Sequence, residues 1–293
     1  MLKEIAKDAL DSTFWHEKNG LRFVDSIEVL EDENRYLQNL YLTYAVRDGI
    51  ISHCGEVDDA RIFPRSEYID LQDFNKPGEY QSYSWEGCVV KLSDKIAYLG
   101  RDIEDANRLK LLRPSQLYDL KRIARKYKMK SLNTTSIMHD LITDICSNST
   151  PKDGLALSSK YADMLYEIKK YNYRNIYLNE RLSTCKKYIK LMITSIFETL
   201  ERCYDEEKTL HNLRKQIAIF PKLMTGFSTW LLQRCSIDCK KYPWAVGIQA
   251  KCKNTKIYSS LQTKDLYIQA IIDYISGMTD QYAIKTFEEL VRF

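Results

Sequence analysis

Glycine and proline are scarce, at 10 and 6 in 293 residues. That excludes collagen-like and low-complexity chains and argues against a sandwich of many turns. No apolar run is long enough for a membrane span. An excess of one charge is also missing. Forty-four basic residues face 40 acidic ones, for a net charge of +4, so a polybasic arm is not the basis of any binding. The opening segment MLKEIAKDALDS has neither the apolar stretch nor the small-residue cleavage site of a secretory leader, and a cytoplasmic protein is expected.

What the chain does have is apolar and aromatic mass. Apolar residues make up 44%, and tyrosine alone contributes 21 residues. That suffices for one large domain or one and a half. The eight cysteines (Cys54, Cys88, Cys146, Cys185, Cys203, Cys235, Cys239, Cys252) are scattered, and free thiols, mostly small core residues, are expected. Cys235, Cys239 and Cys252 could be read as part of a zinc knuckle, but they have no close fourth ligand and no CxxC spacing.

The dominant period is helical. Leu21, Val24, Ile27 and Val29–Leu30 share one face of residues 20–30, and Tyr36, Leu37, Leu40, Tyr44 and Ala45 repeat the pattern over 35–46. A long loop is expected at 57–83, and loops of that length are usually functional or mobile. A strong helix is expected from Trp85 to Arg108, with Pro114 opening the next in a helix first turn. Further helices are expected at 131–147, 158–178 and 182–204, then a basic and apolar segment at 208–235. After an irregular stretch at 236–261 comes a helix pair from 263 to 291, broken near Gly277. Strand signals are sparse. The fold class is all-α, with a core at 1–205 and a C-terminal helical region at 206–293 packing on it.

The most informative stretch lies within Trp85–Ala106. On a helix, Asp94, Tyr98 and Asp102 follow at i, i+4 and i+8, with Lys95 beside them, opposite Val89, Leu92, Ile96, Leu99 and Ile103. A carboxylate, an ammonium and a phenol on one stripe suit a cation beside a polyphosphate. The same stripe also reads as a solvated face of ordinary ion pairs.

Asp94-Lys95-x-x-Tyr98-x-x-x-Asp102 resembles the last metal-ligand helix of the HD-superfamily deoxynucleoside triphosphate triphosphohydrolases. These are the bacterial dGTPases and, more distantly, the vertebrate SAM-and-HD-domain dNTPase. Four further segments resemble that family in its order: Phe14–Glu17 with Leu21–Phe23, Leu42–Glu56, Ile168–Tyr177 and Asp273–Ala283. The resemblance implies an HD-domain-like helical bundle that hydrolyses a dNTP, most simply dGTP, to the deoxynucleoside and triphosphate with Mg or Mn. It implies Asp94 as a metal ligand, and His16, with Glu17 beside it, as catalytic acid. Lys95, Tyr98, Asp102, Lys169 and Tyr177 would bind substrate. A homo-oligomer is also implied.

The family's metal site needs a His, an adjacent His-Asp pair and a distant Asp. The first three are expected N-terminal to the His16 segment, leaving Asp94 as the one in this chain. His139-Asp140 is a literal HD dipeptide, but it follows the helix start Asn133–Ser136 and reads as an exposed or capping histidine. His211, between Lys208 and Arg214, reads as a surface residue. His53 fits either the mouth of the site or a helix C-terminus. Two readings therefore stand side by side: a dGTPase-like hydrolase, and a catalytically degenerate nucleotide-binding or scaffold protein. A third class, binding of single-stranded nucleic acid, would use the basic surfaces Arg122–Lys130 and Lys186–Lys190.

Overall fold

The computed structural model describes residues 1–54, 61–129 and 132–292. Residues 57–60 of the expected loop, residue 131 of an expected helix and Lys130 lie outside them. The described chain is predominantly helical: α1 (Leu2–Leu10), α2 (His16–Arg22), α3 (Tyr44–Ser52), α4 (Trp85–Arg108), α5 (Pro114–Lys126), α6 (Thr134–Asn148), α7 (Ser159–Asn172), α8 (Glu180–Glu201), α9 (Thr209–Gln216), α10 (Pro221–Arg234), α11 (Val246–Gln249), α12 (Lys264–Ser276) and α13 (Asp280–Val291). None of these helices is long and apolar enough to cross a membrane. Contacts gather the chain into two compact units, 1–42 with 187–293, and 43–186, a different cut from a boundary at 205/206.

In the first unit the expected helical period is kept to Arg22 and overridden from there to residue 42. α2 ends in a π turn over Phe23–Ile27, and an antiparallel hairpin follows, β1 (Val29–Glu31) with β2 (Leu37–Asn39). Between the strands, the Asp32 carboxylate accepts from the backbone N–H groups of Asn34 and Tyr36 at 2.9 and 2.8 Å, while Arg35 takes φ 62°. This aspartate-nucleated turn offers the backbone partners that a helix would otherwise supply. The π turn is held by Arg234, which is buried and donates through Nε and Nη2 to the Ile27 carbonyl at 3.0 and 2.7 Å. The core brings Phe227, Leu231, Tyr258, Tyr267 and Ile271 out of solvent.

The second unit is built on α4. Ser84 caps its start by accepting from the Gly87 N–H at 3.1 Å. Leu92, Ile96, Leu99 and Ile103 are buried against α5, α6 and α7, as the period requires, whereas Val89 on the same face is 46% exposed. Gly100 lets α6 approach: a Cβ there would stand 2.6 Å from the Thr134 Cα. α7 also ends in a π turn, Tyr173–Tyr177, and Asn172 donates to the Leu99 carbonyl at 3.0 Å.

Among the cysteines, Cys88, Cys203 and Cys235 are buried. Cys54, Cys239 and Cys252 are half-buried, and Cys146 and Cys185 are exposed. All eight are free thiols, as expected, but fewer than half are core residues. Burial pushes the Cys88 thiol up to about 11, so it stays protonated at neutral pH.

Candidate functional site

α3 and α4 come close where both carry glycine. A Cβ on Gly49 would lie 3.7 Å from the Gly87 Cα, and one on Gly87 would collide with Ser82. Along this crossing runs a cleft of about 740 Å³, lined by Ala45, Val46, Gly49, Ile50 and His53 on one side and by Ser84, Glu86, Gly87, Val90 and Asp94 on the other. Its walls are mostly apolar, with charge at Glu86 and Asp94.

A buried polar network holds α3 to the loop before α4. Asp48, fully buried, accepts from Ser82 Oγ at 2.8 Å and from the Tyr83 N–H at 2.6 Å, and is ion-paired with Arg65. Arg65 also donates to the Tyr44 hydroxyl at 2.6 Å and to the Gln81 carbonyl at 2.5 Å. Lys91, buried on α4, donates to Gln81 Oε1 at 2.9 Å. Three donors on one carboxylate in a dry setting make a strong anchor. The long loop is thus pinned at residues 65 and 81–83.

His53 is the C-cap of α3, as one of its two expectations had it, and also a wall of the cleft. Its Nδ1 lies 2.6 Å from the Ile50 carbonyl oxygen. A carbonyl only accepts, so Nδ1 carries the proton, and Nε2 is the ring nitrogen that could offer a lone pair. Ligand atoms of His53, Cys54 and Asp94 all lie within 4.8 Å of one another. Among the described residues this is the one such grouping of three or more histidine, cysteine or acidic side chains; Cys235, Cys239 and Cys252 do not form one. Imidazole, thiol and carboxylate suit a borderline divalent ion such as zinc better than the all-oxygen surroundings that magnesium takes.

Further along α4, Lys95, Tyr98 and Asp102 are half-buried on the Asp94 side, and Asp94 itself is exposed. Asp102 accepts a short hydrogen bond from the Tyr177 hydroxyl. Burial and then this bond raise the phenol well above its ordinary range. Lys169 sits half-buried in the last turn of α7. The π turn that follows widens the helix by one residue, so the eight-residue spacing to Tyr177 does not by itself set both on one face. His16, exposed, and Glu17, 8% exposed, open α2 in the first unit.

His139 and His211 are exposed, in keeping with surface roles. In the basic surfaces, Arg122 pairs with Asp119, Lys126 with Glu167 and Lys190 with Glu4. Sequence reasoning missed the Asp48–Arg65 network and the place of Cys54 beside Asp94. The adjacent His53-Cys54 pair at the end of an apolar helix was the available signal for the latter.

Residues 257–289, which carry most of α12 and α13, match the family model described as phosphohydrolase-associated domain. Over nearly its whole length the chain is similar to proteins named deoxyguanosinetriphosphate triphosphohydrolase-like protein. The one from Caldanaerobacter subterraneus subsp. tengcongensis is 25% identical across 98% of this chain and 61% of its own length. Those from Rickettsia bellii and Rickettsia canadensis are 24% and 27% identical, each across 94% of this chain and 67% and 68% of their own. The resemblance read from the sequence is thereby borne out. The chain spans about three-fifths to two-thirds of the length of these curated relatives.

Proposed function

We propose that this chain binds a deoxynucleoside triphosphate, dGTP first, and acts in a metal-dependent triphosphohydrolase that splits it into the deoxynucleoside and triphosphate. The observation that carries this reading is the α4 stripe. Asp94 lines a cleft, and two helical turns on, about 12 Å by helix rise, Asp102 is held by Tyr177. Relatives named for dGTP hydrolysis align with nearly all of the chain.

In this reading Lys95 offsets phosphate charge. Tyr98 and the Asp102–Tyr177 pair orient the sugar, since a phenol already bonded to a carboxylate presents its oxygen at a fixed angle. Lys169 adds a second ammonium for the triphosphate. His16 donates a proton to the departing 5′ oxygen, with Glu17 beside it. A divalent ion held in part by Asp94 would supply Lewis acidity at the phosphorus. The protein would act in the cytoplasm as a homo-oligomer.

Release of triphosphate from dGTP with Mg or Mn, compared between the chain and its Asp94→Ala variant, tests the reading. Turnover that is unchanged by Asp94→Ala overturns it. A second reading, a nucleotide-binding protein without turnover, is favoured by one observation. Asp94 is joined by His53 and Cys54, a nitrogen and a sulfur donor rather than the all-oxygen surroundings that magnesium takes. It expects calorimetric binding of dGTP in the presence of a chelator, with no triphosphate released.

A further inference from the structure

We propose that His53, Cys54 and Asp94 form a binding site for a zinc-class divalent metal, with one coordination position open to the cleft. The proposal bears on the same Asp94 as the nucleotide reading, but it is read without substrate, so the two fail separately.

The three ligand atoms already lie within 4.8 Å of one another. Tetrahedral zinc holds thiolate sulfur at ~2.3 Å, imidazole nitrogen at ~2.0 Å and carboxylate oxygen at ~2.0–2.2 Å. Ligands so held stand roughly 3.3–3.8 Å apart, so closing the site takes side-chain shifts of about an ångström. Such shifts are open to Asp94, which is exposed, and to Cys54, which is half-buried.

His53 is oriented in advance. Its Nδ1–H bond to the Ile50 carbonyl at 2.6 Å fixes the ring and leaves Nε2 as the nitrogen that can ligate, the outer-shell arrangement that metal-binding histidines use. The two helices that bring the ligands together are held against each other at Gly49 and Gly87. The Asp48 anchor ties α3 to the loop that leads into α4. The distance between the end of α3 and Asp94 is therefore set by the fold.

The donor set decides the ion. One nitrogen, one sulfur and one oxygen favour zinc, cobalt or nickel, while magnesium and calcium prefer oxygen alone. Three protein ligands leave the fourth position for water or for a ligand in the cleft, as in sites that act on a substrate. His53 and Asp94 both line the cleft, so that position faces its interior.

The test uses the full chain, stripped of metal by a chelator, reduced, and titrated with Co²⁺ and then with Zn²⁺. One Co²⁺ per chain is expected, with a sulfur-to-cobalt charge-transfer band and the visible absorption of a tetrahedral ion, both erased by one equivalent of Zn²⁺. Cys54→Ser should abolish the charge-transfer band. His53→Ala and Asp94→Asn should each weaken Co²⁺ affinity by at least ~10-fold, with helical circular dichroism retained. Cys146→Ser, an exposed thiol on α6, should leave the band in place. The proposal is overturned by the absence of stoichiometric Co²⁺ binding. A charge-transfer band that survives Cys54→Ser, or one that disappears with Cys239→Ser instead, overturns it too. Should Cys54→Ser fail to fold, loss of affinity in folded Asp94→Asn supports the site, and unchanged affinity overturns it.

Discussion

Arg22 and Asp273, 251 residues apart, meet through two hydrogen bonds to one carboxylate oxygen, from Nε at 3.0 Å and Nη2 at 2.9 Å. Asp273 is fully buried and also accepts from the Tyr258 hydroxyl at 2.7 Å and from Gln269 Nε2 at 2.8 Å. The pair fastens α2, which carries His16, to α12. Removing Arg22 leaves a buried carboxylate short of its cation. A loss of about 3 kcal/mol is expected for Arg22→Ala, the lower end of the range for such pairs, because the arginine is 37% exposed. Urea unfolding measures it. A loss below about 1 kcal/mol would show the pair to behave like a surface bridge.

The Trp85–Arg108 helix was legible to the residue because local signals agree: a serine cap at 84 and apolar residues at 92, 96, 99 and 103 that need one face. The β1–β2 hairpin was not, because Tyr36, Leu37 and Leu40 also fit a helical period. What decides there is a side chain, Asp32, satisfying two backbone donors in the turn. The Asp94 stripe was legible as spacing on a helix. The Asp48 network was not, since its members lie 17 to 35 residues apart and meet only when the loop folds back. No period records such an encounter.

The approach of α4 to α6 depends on a missing side chain. A Cβ on Gly100 would stand 2.6 and 2.9 Å from the Cα and N of Thr134, and backbone cannot swing aside as a side chain can. Gly100→Ala should therefore destabilise by about 1–3 kcal/mol, although alanine is the better helix former. A melting temperature equal to or above that of the parent chain would show that α6 can shift freely.

Tyr177 and Asp102 should be coupled. The hydroxyl donates to a carboxyl oxygen in a half-buried place, and a hydrogen bond there contributes about 0.5–3 kcal/mol. In a double-mutant cycle of Tyr177→Phe and Asp102→Asn, the second substitution should cost much less in the presence of the first. Additive costs would mean that the two side chains act independently. If the pair orients substrate, Tyr177→Phe should also raise KM for dGTP more than it lowers kcat.

High pH should unfold the protein through its tyrosines. Burial comes first among the causes that raise the phenols of Tyr171, Tyr177, Tyr258, Tyr267 and Tyr274, and Tyr171 reaches about 12. In the unfolded chain the same groups lose their protons near 10. Between the two values the unfolded state binds fewer protons than the folded one, so stability falls as pH rises. It is fully present below about pH 10 and declines toward 12 and beyond. Stopped-flow phenolate absorbance should separate a fast phase from exposed tyrosines and a slow one that tracks unfolding. A single fast phase for all tyrosines would show these five to be open to solvent.

The tie between α3 and the loop before α4 depends on Asp48 having two acceptor oxygens. One takes Ser82 Oγ and the Tyr83 N–H, and the other takes Arg65. Asparagine keeps the shape but has one oxygen, so its amide must point N–H groups at a donor whichever way it turns. Asp48→Asn should therefore cost at least the roughly 1–3 kcal/mol of an unpaired buried donor, more because Arg65 loses its countercharge. The loss should be local before it is global: hydrogen exchange should quicken first in residues 65 and 81–83, while the amides of α4 beyond Lys91 stay protected. Since the same anchor ties α3 to the loop leading into α4, Co²⁺ affinity should fall in this variant as well, although Asp48 is not one of the proposed ligands. Unchanged exchange at 65 and 81–83 would mean that the loop is held by something other than this carboxylate.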